Sequence, residues 1–158
     1  MLEAIRNKRD REQGFTLIEL MVVVLIIAIL IAIAIPTFLG ARERAQDKAA
    51  QSSLRNGLTA AKVIYTDGED FADATTTALL AVEPSLGFVD SATASTDPKE
   101  VSVDVSDAPN TIYMASYSKS GTCFYIKDNV QGPGTTYGSG TTCTGAAAKT
   151  AAPAGTSW

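Results

Sequence analysis

The side chains able to do chemistry are few, and their types exclude more than they offer. The 158 residues contain no histidine and only two cysteines. Neither a Ser-His nor a Cys-His nucleophile pair can therefore be assembled. The commonest zinc ligand is absent too, and two thiolates do not complete a four-thiolate site. Carboxylates gather at Asp67, Glu69, Asp70 and Asp73, a group that can bind a cation or work as an acid–base pair, though such a run is more often a solvated loop. Near the C-terminus Asp128-Asn129 is the one acidic feature, thin support for a calcium loop. Cys123 and Cys143, in an otherwise thiol-free polar region, suit a disulfide and hence an oxidising compartment, with two free buried thiols as the alternative. One carboxylate stands apart, Glu19, at the edge of a long apolar run. The expectation is a protein that is not an enzyme, with no cofactor and no metal.

The elements that position these residues begin with that run. Hydrophobic residues make up 46% of the chain and charged ones 19%, but the distribution is uneven. Leu20 to Ile35 is apolar without a break, and no charge lies between Glu19 and Arg42. About 20 residues rising ~1.5 Å each cross a hydrocarbon core of ~30 Å. Fourteen Leu, Ile and Val residues between Leu17 and Ile35 favour insertion by roughly 4–8 kcal/mol, which one carboxylate near the edge does not cancel. A buried helix of a soluble domain is the weaker reading on length. Residues 1–14 carry four basic and three acidic groups and the remainder nine and fourteen. An acidic body of this kind lacks the clustered Lys/Arg that nucleic acid requires, so no direct nucleic-acid binding is expected. Lys/Arg counts flanking the apolar run are equal and leave orientation open; the cysteine pair places the C-terminal body outside the cytoplasm. Ala32-Ile33-Ala34 resembles a signal-peptidase site, but the run exceeds the usual 7–15 residues and Pro36 follows at once.

In front of the run stands Arg11-Glu12-Gln13-Gly14-Phe15-Thr16-Leu17-Ile18-Glu19-Leu20. With the polar leader, the apolar stretch and Pro36, this resembles the type IV pilin family over about a quarter of the chain. The resemblance implies a leader of residues 1–14, cut between Gly14 and Phe15 by a dedicated prepilin peptidase, and N-methylation of the new Phe15 terminus. Gly14, without a Cβ, lets a protease approach the backbone closely. A lone carboxylate in an apolar helix needs a partner. The family implies that Glu19 pairs with the Phe15 α-amine of a neighbouring subunit and sets register; the alternative is that Glu19 snorkels to the headgroups. The family's Pro-Gly region, here Pro36 and Gly40, can lose helical structure on assembly, whereas a passive kink is the plainer reading.

Past the membrane the 3.6 period continues. Leu54, Leu58, Ala61 and Tyr65 form one stripe, with Ala50 and Ile64 beside it, and Asp67-Gly68 supplies a stop. One helix is predicted from Phe15 to about Thr66, lipid-soluble in its first half and amphipathic in its second. A short helix follows near Thr75–Val82, ended by Glu83-Pro84. Val101, Val103 and Val105 alternate with Ser102, Asp104 and Ser106 as a half-buried strand; Thr111–Ser118 and Thr122–Lys127 complete a hairpin around Lys119-Ser120-Gly121. The predicted fold class is α+β: a long N-terminal helix packed on a three-stranded antiparallel β-meander, the pilin ladle. The stretch between the cysteines, with Gly132-Pro133-Gly134 and Tyr137-Gly138-Ser139-Gly140, reads as a loop with little core. Beyond Cys143 the low-complexity sequence reads as mobile, unless Trp158 anchors it.

The resulting division is 1–14 leader, 15–41 transmembrane and filament-core helix, 42–67 amphipathic half, and 68–158 head. The resemblance implies a structural subunit, a major pilin, that polymerises into a surface filament for adhesion, motility or DNA uptake. Its implied partners are copies of itself, the prepilin peptidase, the inner-membrane assembly machinery and, before assembly, the lipid bilayer. It would be a single-pass cell-membrane protein with an extracytoplasmic head, then an extracellular filament. A pseudopilin of a type II secretion system is the alternative within the family, and a membrane-tethered extracytoplasmic enzyme or binding module the alternative outside it.

Overall fold

Apolar residues at every position, with no Gly or charge between Leu20 and Ile35, leave this segment one regular option, a helix. The computed structural model describes residues 14–158, so the expectations for the leader before Gly14 lie outside it. Helix α1 (Leu17–Gly68) runs through Pro36 and Gly40 without interruption. The chain divides into two units at Ala41/Arg42. In the first, every described side chain from Phe15 to Leu39 is exposed. Pro36 offers no N–H to the Ala32 carbonyl, and the Thr37 hydroxyl donates to the neighbouring Ile33 carbonyl at 2.6 Å. Among the described residues α1 is the one helix long and apolar enough to cross a membrane.

In the second unit the predicted stripe is the buried one. Ala50, Leu54, Leu58 and Ala61 are buried, with Ile64 and Tyr65 packed at their margin. The helix ends at Gly68, and Glu69 takes the left-handed conformation that closes it, φ 54°, its N–H reaching the Tyr65 carbonyl. A 3₁₀ turn (Phe71–Asp73) places Phe71 against the Tyr65 ring at 4.6 Å. Helix α2 (Thr76–Val82) follows, with Thr75 as its N-cap and Leu79 buried, close to the predicted element.

The sheet corrects the three-stranded expectation. It has five strands in the order β1 (Gly87–Asp90), β2 (Glu100–Asp104), β3 (Thr111–Tyr117), β4 (Cys123–Asn129), β5 (Gly134–Gly140). β2, β3 and β4 are the predicted strands, and β2 to β5 form an antiparallel meander. β1 pairs parallel to β2, so the sheet is mixed. Val103, Met114, Ile126 and Tyr137 stand opposite one another across it, and this row faces the α1 stripe within one core.

The supposed Gly-rich loop and mobile tail are also corrected. Gly134–Gly140 pairs along its whole length with β4; its alternation is weak because its side chains are small, and pairing, not composition, makes it a strand. After Cys143, Thr144 caps α3 (Gly145–Ala151) by accepting from the Ala147 N–H at 3.0 Å. With Tyr113, Ala115, Tyr125 and both cysteines, Ala148 of α3 forms a second core on the opposite sheet face. β2 is therefore buried on both faces rather than half-buried: Ser102 donates to the Asp90 carbonyl and accepts from the Gly145 N–H at 2.8 Å. A Cβ on Gly145 would meet the Val103–Asp104 backbone at 2.8 Å, so this close approach requires glycine.

Candidate functional site

The N-terminal site is built from four residues. Gly14, Phe15 and Thr16 precede the helix, and Phe15 is 84% exposed. Thr16 and Glu19 are spaced as a Thr-x-x-Glu box, in which each end of the first turn satisfies the other. The Thr16 N–H and hydroxyl both donate to Glu19 Oε2, at 2.9 and 2.7 Å, and the Glu19 N–H donates to Thr16 Oγ1 at 3.3 Å. The carboxylate also lies at the positive end of the helix dipole. Within one chain, then, Glu19 has a partner, Thr16, the residue next to Phe15. The sequence names Thr16 only as part of the motif and assigns it no role, although the signal for one, Thr three residues before Glu at the head of an apolar run, is legible there. Both internal bonds fall on Oε2; among the described residues Oε1 takes none.

Pro36 and Gly40 lie 17 and 21 residues further along α1, and the helix is continuous through both. They share no site with Glu19; what they contribute is backbone, a missing donor and a residue of low helix propensity one turn apart.

In the head, Cys123 and Cys143 are joined by a disulfide with Cα atoms 5.1 Å apart. It ties the first residue of β4 to the approach to α3. The acidic group 67–73 does not converge: Asp70 is taken up as the cap of the 3₁₀ turn, accepting from the Ala72 N–H at 2.7 Å. Among the described residues no three carboxylates or thiolates come together as metal ligands. Asp128 is only 1% exposed, and its Oδ1 accepts from Lys62 Nζ at 2.8 Å and from the Thr135 hydroxyl at 2.6 Å. It belongs to an ion pair between α1 and β4 in which the carboxylate is buried and the Lys62 ammonium faces solvent. A calcium ligand would have to leave that pair, and removing one partner of such a contact is costly.

Trp158 resolves the tail. Its indole N–H is shared between the Tyr125 and Gly138 carbonyls at 2.9 and 2.8 Å, and its ring meets Tyr137 edge-on at 4.5 Å with Arg55 5.0 Å over the face. Tyr137 and Gly155 exchange both backbone bonds, covering the outer edge of β5 at its centre. On the other sheet face Asp107 accepts from Lys149 at 2.5 Å and from the Tyr113 hydroxyl at 2.9 Å. The lysine first and the tyrosine second hold the Asp107 carboxyl below its usual range. Burial first and this hydrogen bond second push the Tyr113 phenol up to about 12.

The family comparison falls on the N-terminal site. Residues 9–35 match the prokaryotic N-terminal methylation motif. Over 63 residues, 40% of this chain, the sequence is 44% identical to the type IV major pilin protein PilA of Myxococcus xanthus (strain DK1622). The matched stretch spans 29% of that relative's length. No solved structure matches the chain.

Proposed function

We propose, from an N-terminal region of the type IV pilin family, that this chain is a prepilin whose mature form is the structural subunit of a type IV pilus. Prepilin peptidase cuts after Gly14, the Phe15 amine is methylated, and residues 15–41 hold the subunit in the bilayer with the head, from residue 68 on, extracytoplasmic. The assembly machinery then draws subunits into a filament through residues 15–67, a surface polymer for adhesion, motility or DNA uptake.

The observation that carries this reading is the first half of α1. A helix apolar on every side and covered on none has two stable environments, lipid and other such helices. Transfer between them keeps the apolar surface out of water, so assembly is governed by packing and by polar groups such as Glu19. Its open Oε1 suits the α-amine of a neighbouring Phe15, a charge-assisted bond in a dry setting. In the filament, neighbouring helices crowd the turn weakened at Pro36 and Gly40, which extends there. The similarity to a major pilin and the involvement of Asp128 with Lys62 favour a pilin over a pseudopilin of the calcium-binding kind.

N-terminal sequencing of the mature protein is the test. A chain beginning at Phe15 is expected. One beginning at Ile35 would mark a conventionally secreted domain, and one beginning at Met1 a plain membrane-tethered module; either result ends the pilin reading.

A further inference from the structure

Along α1 after Ala41, Arg42 to Ala45 are exposed, Gln46 and Asp47 are half-buried, and Ala50 is the first buried side chain. Asp47 Oδ1 accepts from the hydroxyl of Ser118, which is fully buried, at 2.7 Å, and from that of Ser120 at 2.5 Å. Both serines belong to the turn between β3 and β4. The same hydroxyls accept from that turn's backbone: Ser118 Oγ from the Ser120 N–H at 3.2 Å, and Ser120 Oγ from the Thr122 N–H at 3.4 Å. The Ser118 N–H and Gly121 N–H close the turn on the carbonyls of Thr122 and Ser118. Each hydroxyl is thus polarised by a backbone donor and spends its proton on one carboxylate, a chain of bonds in a consistent direction.

We infer that Asp47 and this serine turn form a latch that sets where the head's grip on α1 begins. The physical reason lies in what α1 offers on either side. The next polar tie between α1 and the sheet is the Lys62–Asp128 pair. Between the two, no side-chain hydrogen bond joins α1 to the sheet among the described residues, and the grip starts weakly: Ala50 and Ser53 bury little area, Gln51 is buried but bonds only to Lys48 of α1 itself, and Leu54 is the first large apolar side chain to be buried. An opening of the helix that travels outward from a weakened turn stops where it must break side-chain bonds or expose large apolar surface. With the latch it stops at Asp47; without it, it runs on toward Gln51 and Leu54. In the polymer, where the filament reading above has α1 extend near Pro36, the latch limits that extension and keeps it out of the head. This last consequence rests on that reading; the latch itself does not.

Hydrogen–deuterium exchange on the full chain in detergent micelles tests it. The amides of residues 47–53 are expected to exchange about tenfold faster or more in Asp47→Ala and in the Ser118→Ala/Ser120→Ala double variant, as loss of two charge-assisted bonds implies. Those of residues 60–64 should stay protected. Should Asp47→Ala lose the folded head, Asp47→Asn keeps the shape with a weaker acceptor and should give an intermediate rise. Unchanged exchange over 47–53 in the alanine variants, or in Asp47→Asn where they do not fold, overturns the latch. The same measurement on filaments separates the two readings. Fast exchange from Ile35 ending before Ala50 in the native filament and passing it in Asp47→Ala supports both. Full protection of Ile35–Gly40 in the native filament overturns the extension alone, since the micelle result judges the latch by itself.

Discussion

Glu19 is the residue on which the filament reading turns, and its structural setting changes what its substitution tests. Thr16 already supplies two donors, so the carboxylate need not snorkel to be satisfied. Replacing it by valine removes a polar group from an apolar helix and helps insertion. It also removes the only acidic side chain between Leu17 and Leu39. A Glu19→Val precursor is expected to insert and be processed yet yield few filaments, scored by shearing and sedimentation; normal filament yield would refute the pairing role. At Tyr113 the expectation concerns pH. Its folded-state pKa, about 12, lies above the ordinary value near 10, so the folded head keeps a proton that the unfolded chain releases. The associated stability is complete below about pH 10 and is lost between about 10 and 12. Tyr113→Phe should remove that alkaline decline in a denaturant titration series, and a decline of the same slope in the variant would place its origin elsewhere.

Among the elements, α1 contains a glycine with no conformational need for it. Gly57 is buried mid-helix, and a Cβ there would sit 3.4 Å from Phe88, 3.5 Å from Met114 and 3.8 Å from Val101, close to ordinary contact rather than collision. Helix propensity therefore decides, and Gly57→Ala should stabilise the head by about 0.5–1 kcal/mol in chemical denaturation; a loss would mean that the sheet cannot give by the few tenths of an ångström involved. At Pro36 and Gly40 the same propensities act on assembly. The double alanine variant gains ~3 and ~1 kcal/mol of local helix stability, and its filaments should be stiffer under force or fail to form. Equal extensibility to the native filament would leave the proline without a mechanical role.

For the head as a whole, closure depends on its C-terminal third. The disulfide joins β4 to the approach to α3, and the tail seals β5 through Gly155 and Trp158. A crosslink of about 20 residues is worth ~3 kcal/mol in the chain-entropy view. Removing Trp158, a half-buried aromatic with its N–H shared between two carbonyls, should cost about 2–3 kcal/mol. Reduction should loosen α3 and the second core before the sheet, and Trp158→Ala should expose the β5 edge. Exchange of the β5 amides reads the second effect, and unchanged protection there would show that the edge needs no cover.

Local pattern alone determined the long helix, Leu17–Gly68. An unbroken apolar run can only be a helix in lipid or among helices, the 3.6 period marks Leu54, Leu58 and Ala61 as its core face, and Gly14-Phe15 with Glu19 carries the family resemblance. The three valine- and tyrosine-containing strands were legible for the same reason, since their side chains alternate in size and polarity. What only the tertiary structure decided lies where side chains are small. Apart from Tyr137, β5 is Gly, Thr and Ser, and four of the seven residues of α3 are alanine; neither has a face that announces itself. Both owe their order to non-local partners: β5 to the backbone of β4 and the tail, α3 to the close approach at Gly145 and to the second core. The same holds for Asp128 and Asp47. Each reads as a surface carboxylate until the fold brings Lys62 to one and the serine turn to the other, because a charge is placed by its partner, and the partner lies more than 60 residues away in the chain.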